Sequence, residues 1–88
     1  MKKQKKLWQF FDRKSKWTKG EFAMDKHGNV VEPWARAAVC WCLLGAMRKL
    51  NIPPDRIELK LGIWNITGWN DRCKTFEEFH AALKKADL

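Results

Sequence analysis

Apolar and polar positions divide the chain into a few elements. Leu7, Phe10, Phe11 and Lys14 recur at i, i+3, i+4, i+7 within residues 2–16, the spacing of one helix face. Lysine stems extend such apolar cover while their heads stay wet. The spacing predicts a basic N-terminal helix or arm over 1–16, with its apolar face docked and its basic face free. The remaining chain, 17–88, reads as a single globular domain. In it FAMD, KHGN and Val30-Val31 form a short hairpin or ordered turn over 22–31. Gly28 and Asn29 accept positive φ there, and Asp25 is placed to close the turn through its side chain.

AAVCWCLLGAM, residues 37–47, is apolar on every side. It predicts a central buried helix from about Trp34 to Leu50, opened by Pro33. Gly45 and Ala46 permit a close crossing with a neighbour, and Asn51 with Pro53-Pro54 ends the helix. Residues 54–64 fit two patterns. Ile57, Leu59, Leu61 and Ile63 alternate like a strand, while Ile57 and Leu61 also fit helical spacing. A short helix over 54–61 is preferred, with Pro54 and Asp55 in its first turn. Thr75 and Glu78 form a capping box for a terminal helix from about 75 to 86, whose apolar stripe is Phe76, Phe79, His80 and Leu83. The fold class is therefore mainly α, or α+β if the hairpin forms a sheet: a compact small helical domain around a central buried helix.

The chain has 88 residues, enough for one domain. Six Trp and five Phe offer a dense core without staples. The net charge of +8 is uneven. Lys2, Lys3, Lys5, Lys6, Arg13, Lys14, Lys16 and Lys19 face Asp12 alone in the first 20 residues, while ten bases and nine acids share the rest. Such a block points to a polyanionic partner, against the alternative that it only keeps the protein in solution. Three Cys, two of them inside the apolar run, do not make a disulfide framework. Together with the lack of a signal-peptide pattern, this points to the cytoplasm. The longest apolar run is too short to span a bilayer.

Candidate chemistry is sparse. Cys40 and Cys42, two apart on the predicted helix, point about 200° apart and do not share a metal. No metal or cofactor is expected. Cys73, between Arg72 and Lys74, could form a nucleophile with His80 and Asp71. Against it, free cysteines are mostly buried small hydrophobes, and Asn70-Asp71 looks like turn chemistry. His27 reads as a solvated turn residue. Glycine-rich phosphate loops and helix-turn-helix, zinc-finger and RNA-recognition signatures are missing. Trp64-Asn65 and Trp69-Asn70 could stack on or read bases, though both rings are more simply core.

The segments WTKGEFAMDKHGNVV, AVCWCLLGA, WND and TFEEF together resemble a family of small proteins from phages, mobile elements and bacterial genomes. The pattern falls on Trp17, Gly20, Ala23, Asp25, Gly28, Trp41, Cys42, Leu43, Gly45, Ala46, Trp69, Asn70, Asp71, Thr75 and Glu78. It covers residues 17–86 and leaves out the lysine-rich start. The family lends no established activity. The resemblance implies a small intracellular helical domain of phage or mobile-element origin that acts by binding.

The function expected is therefore a non-enzymatic binding protein. It engages nucleic acid or a host nucleoprotein or nuclease complex, as an inhibitor of host defence in the manner of anti-CRISPR proteins. Its contacts are the eight N-terminal bases named above, with Trp69, Asn70 and Asp71 as a second candidate surface. The competing reading makes Trp-Asn-Asp a packing device: the Trp17 and Trp69 segments meet over the central helix, and the nearby Asp25 and Asp71 hydrogen-bond loop backbones. The alternatives are a small cysteine-dependent enzyme and a protein-only inhibitor with no nucleic-acid contact.

Overall fold

The computed structural model describes residues 6–88. Lys2, Lys3 and Lys5 lie outside the described residues, as does the start of the predicted 2–16 helix. The described part of that segment is a short helix α1, Leu7–Phe10, and a 3₁₀ turn at Lys14–Lys16. The helix stops early because three apolar side chains must be buried at once. Phe11, at φ −86° and ψ 63°, turns its ring off the helix and onto Phe79, with centroids 4.9 Å apart. Leu7, Phe10 and Phe11 all lie in the core, so the apolar face is docked, and the main-chain N–H of Leu7 bonds the carbonyl of Leu88.

The turn-rich segment supplies strand β1, Ala23–Met24. Its partner, antiparallel, is β2, Cys40–Trp41, with Ala23 opposite Trp41 and Met24 opposite Cys40. Met24 also bridges Val30, and Trp17 bridges Trp41 in parallel. Four short stretches of backbone thus lie side by side in the order 30, 23–24, 40–41, 17. The hairpin is present, and Asp25 closes it: its Oδ1 accepts the N–H groups of His27 and Asn29, both at 2.9 Å. Gly28 takes the positive φ of 82°.

The predicted 34–50 helix is corrected. Only α2, Leu43–Leu50, is helical. Residues 34–39 make turns, with Ala35 N–H on the Glu32 carbonyl and Ala38 N–H on that of Ala35. Residues 40–41 are then drawn into the sheet. A run that is apolar on all sides has no amphipathic period to fix a helix, so tertiary pairing decides. The indole of Trp41 donates to the carbonyl of Pro33 at 2.9 Å, which holds this stretch extended. Cys42 therefore caps α2, its Sγ accepting from the Gly45 N–H at 3.3 Å. Asn51 closes α2 in the left-handed region at φ 58°.

The close crossing at Gly45 is real, and the neighbour is backbone. A Cβ there would stand 1.9 Å from the Phe22 carbonyl oxygen. Next come α3, Pro54–Leu61, and α4, Ile66–Arg72. α4 corrects the reading of Asn70-Asp71 as turn residues. Asn65 starts it, Oδ1 accepting from the Gly68 N–H at 3.0 Å, and its low-propensity Thr67 and Gly68 hide it from periodicity. Helix α5, Phe76–Lys85, is capped by Thr75 through the Glu78 N–H at 3.1 Å. The Glu78 carboxylate reaches the N–H of Lys74 at 3.1 Å, one residue before the expected partner. Phe79, fully buried on α5, is the hub of the core. Phe11, Trp17, Trp69 and Phe76 all pack around it.

Candidate functional site

The Trp-Asn-Asp segment comes together with the Trp17 loop. Asn70 is 0% exposed. Its Oδ1 accepts the indole N–H of Trp17 at 2.8 Å and the main-chain N–H of Leu43 at 3.0 Å. Its Nδ2 donates to the Thr18 carbonyl and to Asp71 Oδ1, each at 3.2 Å. An amide has two donor and two acceptor positions, and all are used. The rotated amide would put donors against donors, so the network fixes its orientation. Leu43 N–H is one of the orphan donors at the start of α2. Asn70 thus caps α2 from α4 and ties both to the Trp17–Thr18 loop. Asp71 is exposed, and its Oδ1 also accepts the Gly20 N–H at 3.1 Å. Trp69 is half-buried on Phe79. The segments meet as the packing reading requires, with two differences: Trp17 stacks on Phe79 of α5, at 4.9 Å and 18°, and Asp25 serves only its own turn.

The thiols sit in apolar settings. Cys40 is half-buried on β2, and Cys42 and Cys73 are buried. Burial pushes both the Cys42 and the Cys73 thiol above the ordinary cysteine value. At Cys73 the Glu78 carboxylate adds to the rise, against Lys19 and Arg72, and Sγ lies 3.4 Å from the Trp69 carbonyl. His80 uses Nε2 on the Trp8 carbonyl at 2.8 Å, with its ring stacked on Phe76. Cys73, His80 and Asp71 each have a separate local partner. His27 is exposed at the hairpin tip.

The basic residues divide into two kinds. Arg13 and Lys16 pair with the exposed carboxylate of Asp12, at 3.3 and 3.5 Å. Desolvation opposes ionisation of Asp12, but Lys16 and Arg13 outweigh it and hold the carboxyl below its ordinary value. Lys16 also reaches the Phe10 carbonyl at 3.3 Å. Lys14 and Lys19 are exposed, Lys19 over the Trp17 ring. Lys6 pairs with Asp87 at 2.6 Å and shares a groove of about 210 Å³ with Arg56. The hydrogen bond and charge of Lys6 lower the Asp87 pKa, and Lys60 adds to this.

Arg56 and Lys60 are contributors that sequence reasoning passed over. Their i, i+4 spacing on α3 was legible, but their nearness to Lys6 was not. At about 100° per residue, α3 has three sectors. Ile57 and Leu61 face inward, Arg56 lines the Lys6 groove, and Lys60, one turn on, lies near enough to act on Asp87. Asp55, Glu58, Leu59 and Gly62 form the third, which lines a second groove with Ile63 and Trp64. Trp64 is 96% exposed and Leu59 85%. The expectation that both Trp64 and Trp69 are core fails for Trp64. A third groove, about 400 Å³, gathers the exposed Phe22, Val30 and Trp34 around Arg48. Among the described residues no helix is long and apolar enough to cross a membrane. No family model, curated protein or solved structure matches the chain.

Proposed function

We propose that the chain is a non-enzymatic binding protein whose basic surface engages nucleic acid, or the nucleic-acid channel of a host complex. One observation carries the reading. Lys6, the last lysine of the run, sits in a groove that Arg56 also lines, and Lys60 acts on its partner Asp87, so cations far apart in sequence gather at one place. Asp87 offsets only one of them. Phosphate contacts of this kind give affinity without sequence readout. Trp69 and Asn70 are better read as holding the fold, since the buried Asn70 amide has no free group for a ligand. The motif resemblance points to a phage or mobile-element origin, and a cytoplasmic role against host defence of the CRISPR type is proposed from that setting alone.

The test is fluorescence anisotropy with labelled duplex DNA, single-stranded DNA and RNA, from low to physiological salt. The logarithmic salt slope should be steep. It should flatten by about 0.9 for each duplex phosphate that K6Q, R56Q or K60Q no longer neutralises. The quadruple change K2Q, K3Q, K5Q and K6Q should weaken binding to all three probes. No binding above the lowest salt, or variants that bind like the parent, refutes the reading and leaves a protein-only target.

A further inference from the structure

The acidic side of α3 has a chemistry opposite to that of the basic face. Trp64 and Leu59 stand almost wholly in solvent, yet they line one groove of about 450 Å³ with Ile63. Two large apolar side chains left in water forgo the gain that burial would bring. No fold requirement holds them there: Trp64 makes no ring contact among the described residues. Trp is among the side chains enriched at binding anchors, and exposed apolar patches with a polar rim mark interaction sites. The polar rim decides the partner. It is Asp55 and Glu58, both on the groove and neither in an ion pair among the described residues.

We propose that this groove docks a short segment of a partner protein that carries an aliphatic or aromatic side chain beside one or two lysines or arginines. The apolar side chain packs between Trp64 and Leu59, and the cation lies between Asp55 and Glu58, within reach of the Trp64 ring face. The carboxylates argue against other occupants. Phosphates of a nucleic acid stacked on Trp64 and an anionic membrane surface would both be repelled. A second copy paired through the same patch would set Asp55 and Glu58 against their own images. The proposal stands on this groove alone and is independent of nucleic-acid binding by the Lys6 face. If both hold, α3 separates a polyanion site from a cation-seeking one, and the protein bridges nucleic acid to a basic protein.

The six tryptophans give indole N–H signals that two-dimensional NMR of the full chain resolves, with W64F assigning that of Trp64. The probe is a peptide of about twelve residues alternating lysine with leucine; controls are oligolysine, the glutamate-leucine counterpart and a single-stranded oligonucleotide. The lysine-leucine peptide should shift the Trp64 signal saturably, and the controls should do so at least tenfold more weakly. W64A should weaken peptide binding about thirtyfold, the size of an interface anchor. D55N/E58Q should weaken it about tenfold and remove most of its salt dependence. Asp55 and Trp64 are exposed and Glu58 is half-buried, none of them in the core, so these variants keep the fold and the parent's remaining indole spectrum. A Trp64 signal that ignores the peptide, that moves first with the oligonucleotide, or that moves with protein concentration alone overturns the proposal.

Discussion

Removing the Asn70 amide tests whether the Trp-Asn-Asp segment is structural. N70A deletes four hydrogen bonds at one buried point. The Leu43 N–H loses its partner inside the core, and the Trp17 indole N–H loses its partner at the core's edge. A buried donor left unsatisfied costs about 1–3 kcal/mol. The carbonyl of Thr18 and the carboxylate of Asp71 are nearer water and recover solvent bonds, so they add little. The expected loss is therefore about 3–5 kcal/mol, a large share of the roughly 5–15 kcal/mol that holds a domain of this kind. N70L fills the space but leaves the same donors unpaired, so it should be about as costly.

Urea unfolding followed by tryptophan fluorescence measures this directly, since the slope against urea should stay constant while the midpoint falls. W17F keeps a ring against Phe79 but removes the indole donor together with part of the packed ring, for about 1–3 kcal/mol. In the cycle of N70A with W17F the two losses should be less than additive, because they share the indole hydrogen bond. A loss below about 1 kcal/mol for N70A would mean that water replaces the amide. The interior position of Asn70 would then have no structural explanation, and a ligand-binding role would return.

G45A should prevent folding or cost more than about 3 kcal/mol in the same assay, although alanine is the better helix former by roughly 1 kcal/mol, because its methyl would collide with the Phe22 carbonyl. Cys73 should react slowly with a thiol reagent at neutral pH in the native protein and rapidly in urea, since burial raises its pKa; rapid native labelling would revive the cysteine-enzyme alternative. The Asp25 carboxyl is held below its ordinary value of about 3.8 by the main-chain N–H of Asn29 first and that of His27 after desolvation is offset. A lowered folded-state pKa gives stability that is present above the ordinary value and lost as pH falls through the folded one. The urea midpoint should thus be flat above pH ~5 and fall below pH ~4, and D25N should reduce the fall.

The elements legible in the sequence were those whose signal is local. Thr75 and Glu78 mark a helix start through their own backbone, and Asp25 with Gly28 marks a turn within five residues. Pro54 and Asp55 settled an ambiguous pattern in favour of α3. The failures are equally physical. Residues 34–42 carry enough apolar surface for a buried helix, but the open edge of Ala23–Met24 and the carbonyl of Pro33 offered partners that only the assembled fold supplies. Helix α4 was hidden because its signals, Asn65 and Asn70-Asp71, are also turn signals. Asn70 stands out in the sequence beside Trp69, yet its partners Trp17, Thr18 and Leu43 lie at least 27 positions away.

The charge pattern shows why segment totals mislead about function. Counted along the chain, residues 21–88 are near neutral and the cation is the N-terminal segment. In space, part of that segment cancels itself, because Arg13 and Lys16 fold onto Asp12. The near-neutral remainder does the reverse: α3 sorts its charges, with Arg56 and Lys60 beside Lys6 and Asp55 and Glu58 on the far side with Trp64. The helix period converts an alternating sequence into separate faces. On the proposed reading, a field that steers a polyanion draws on Arg56 and Lys60 from the middle of the chain as well as on the N-terminal lysines. Charge reversal at Arg56 should thus slow nucleic-acid association more than reversal at Arg13, which shares the Asp12 carboxylate with Lys16. Equal effects would mean that the run acts alone and the fold contributes nothing to its field.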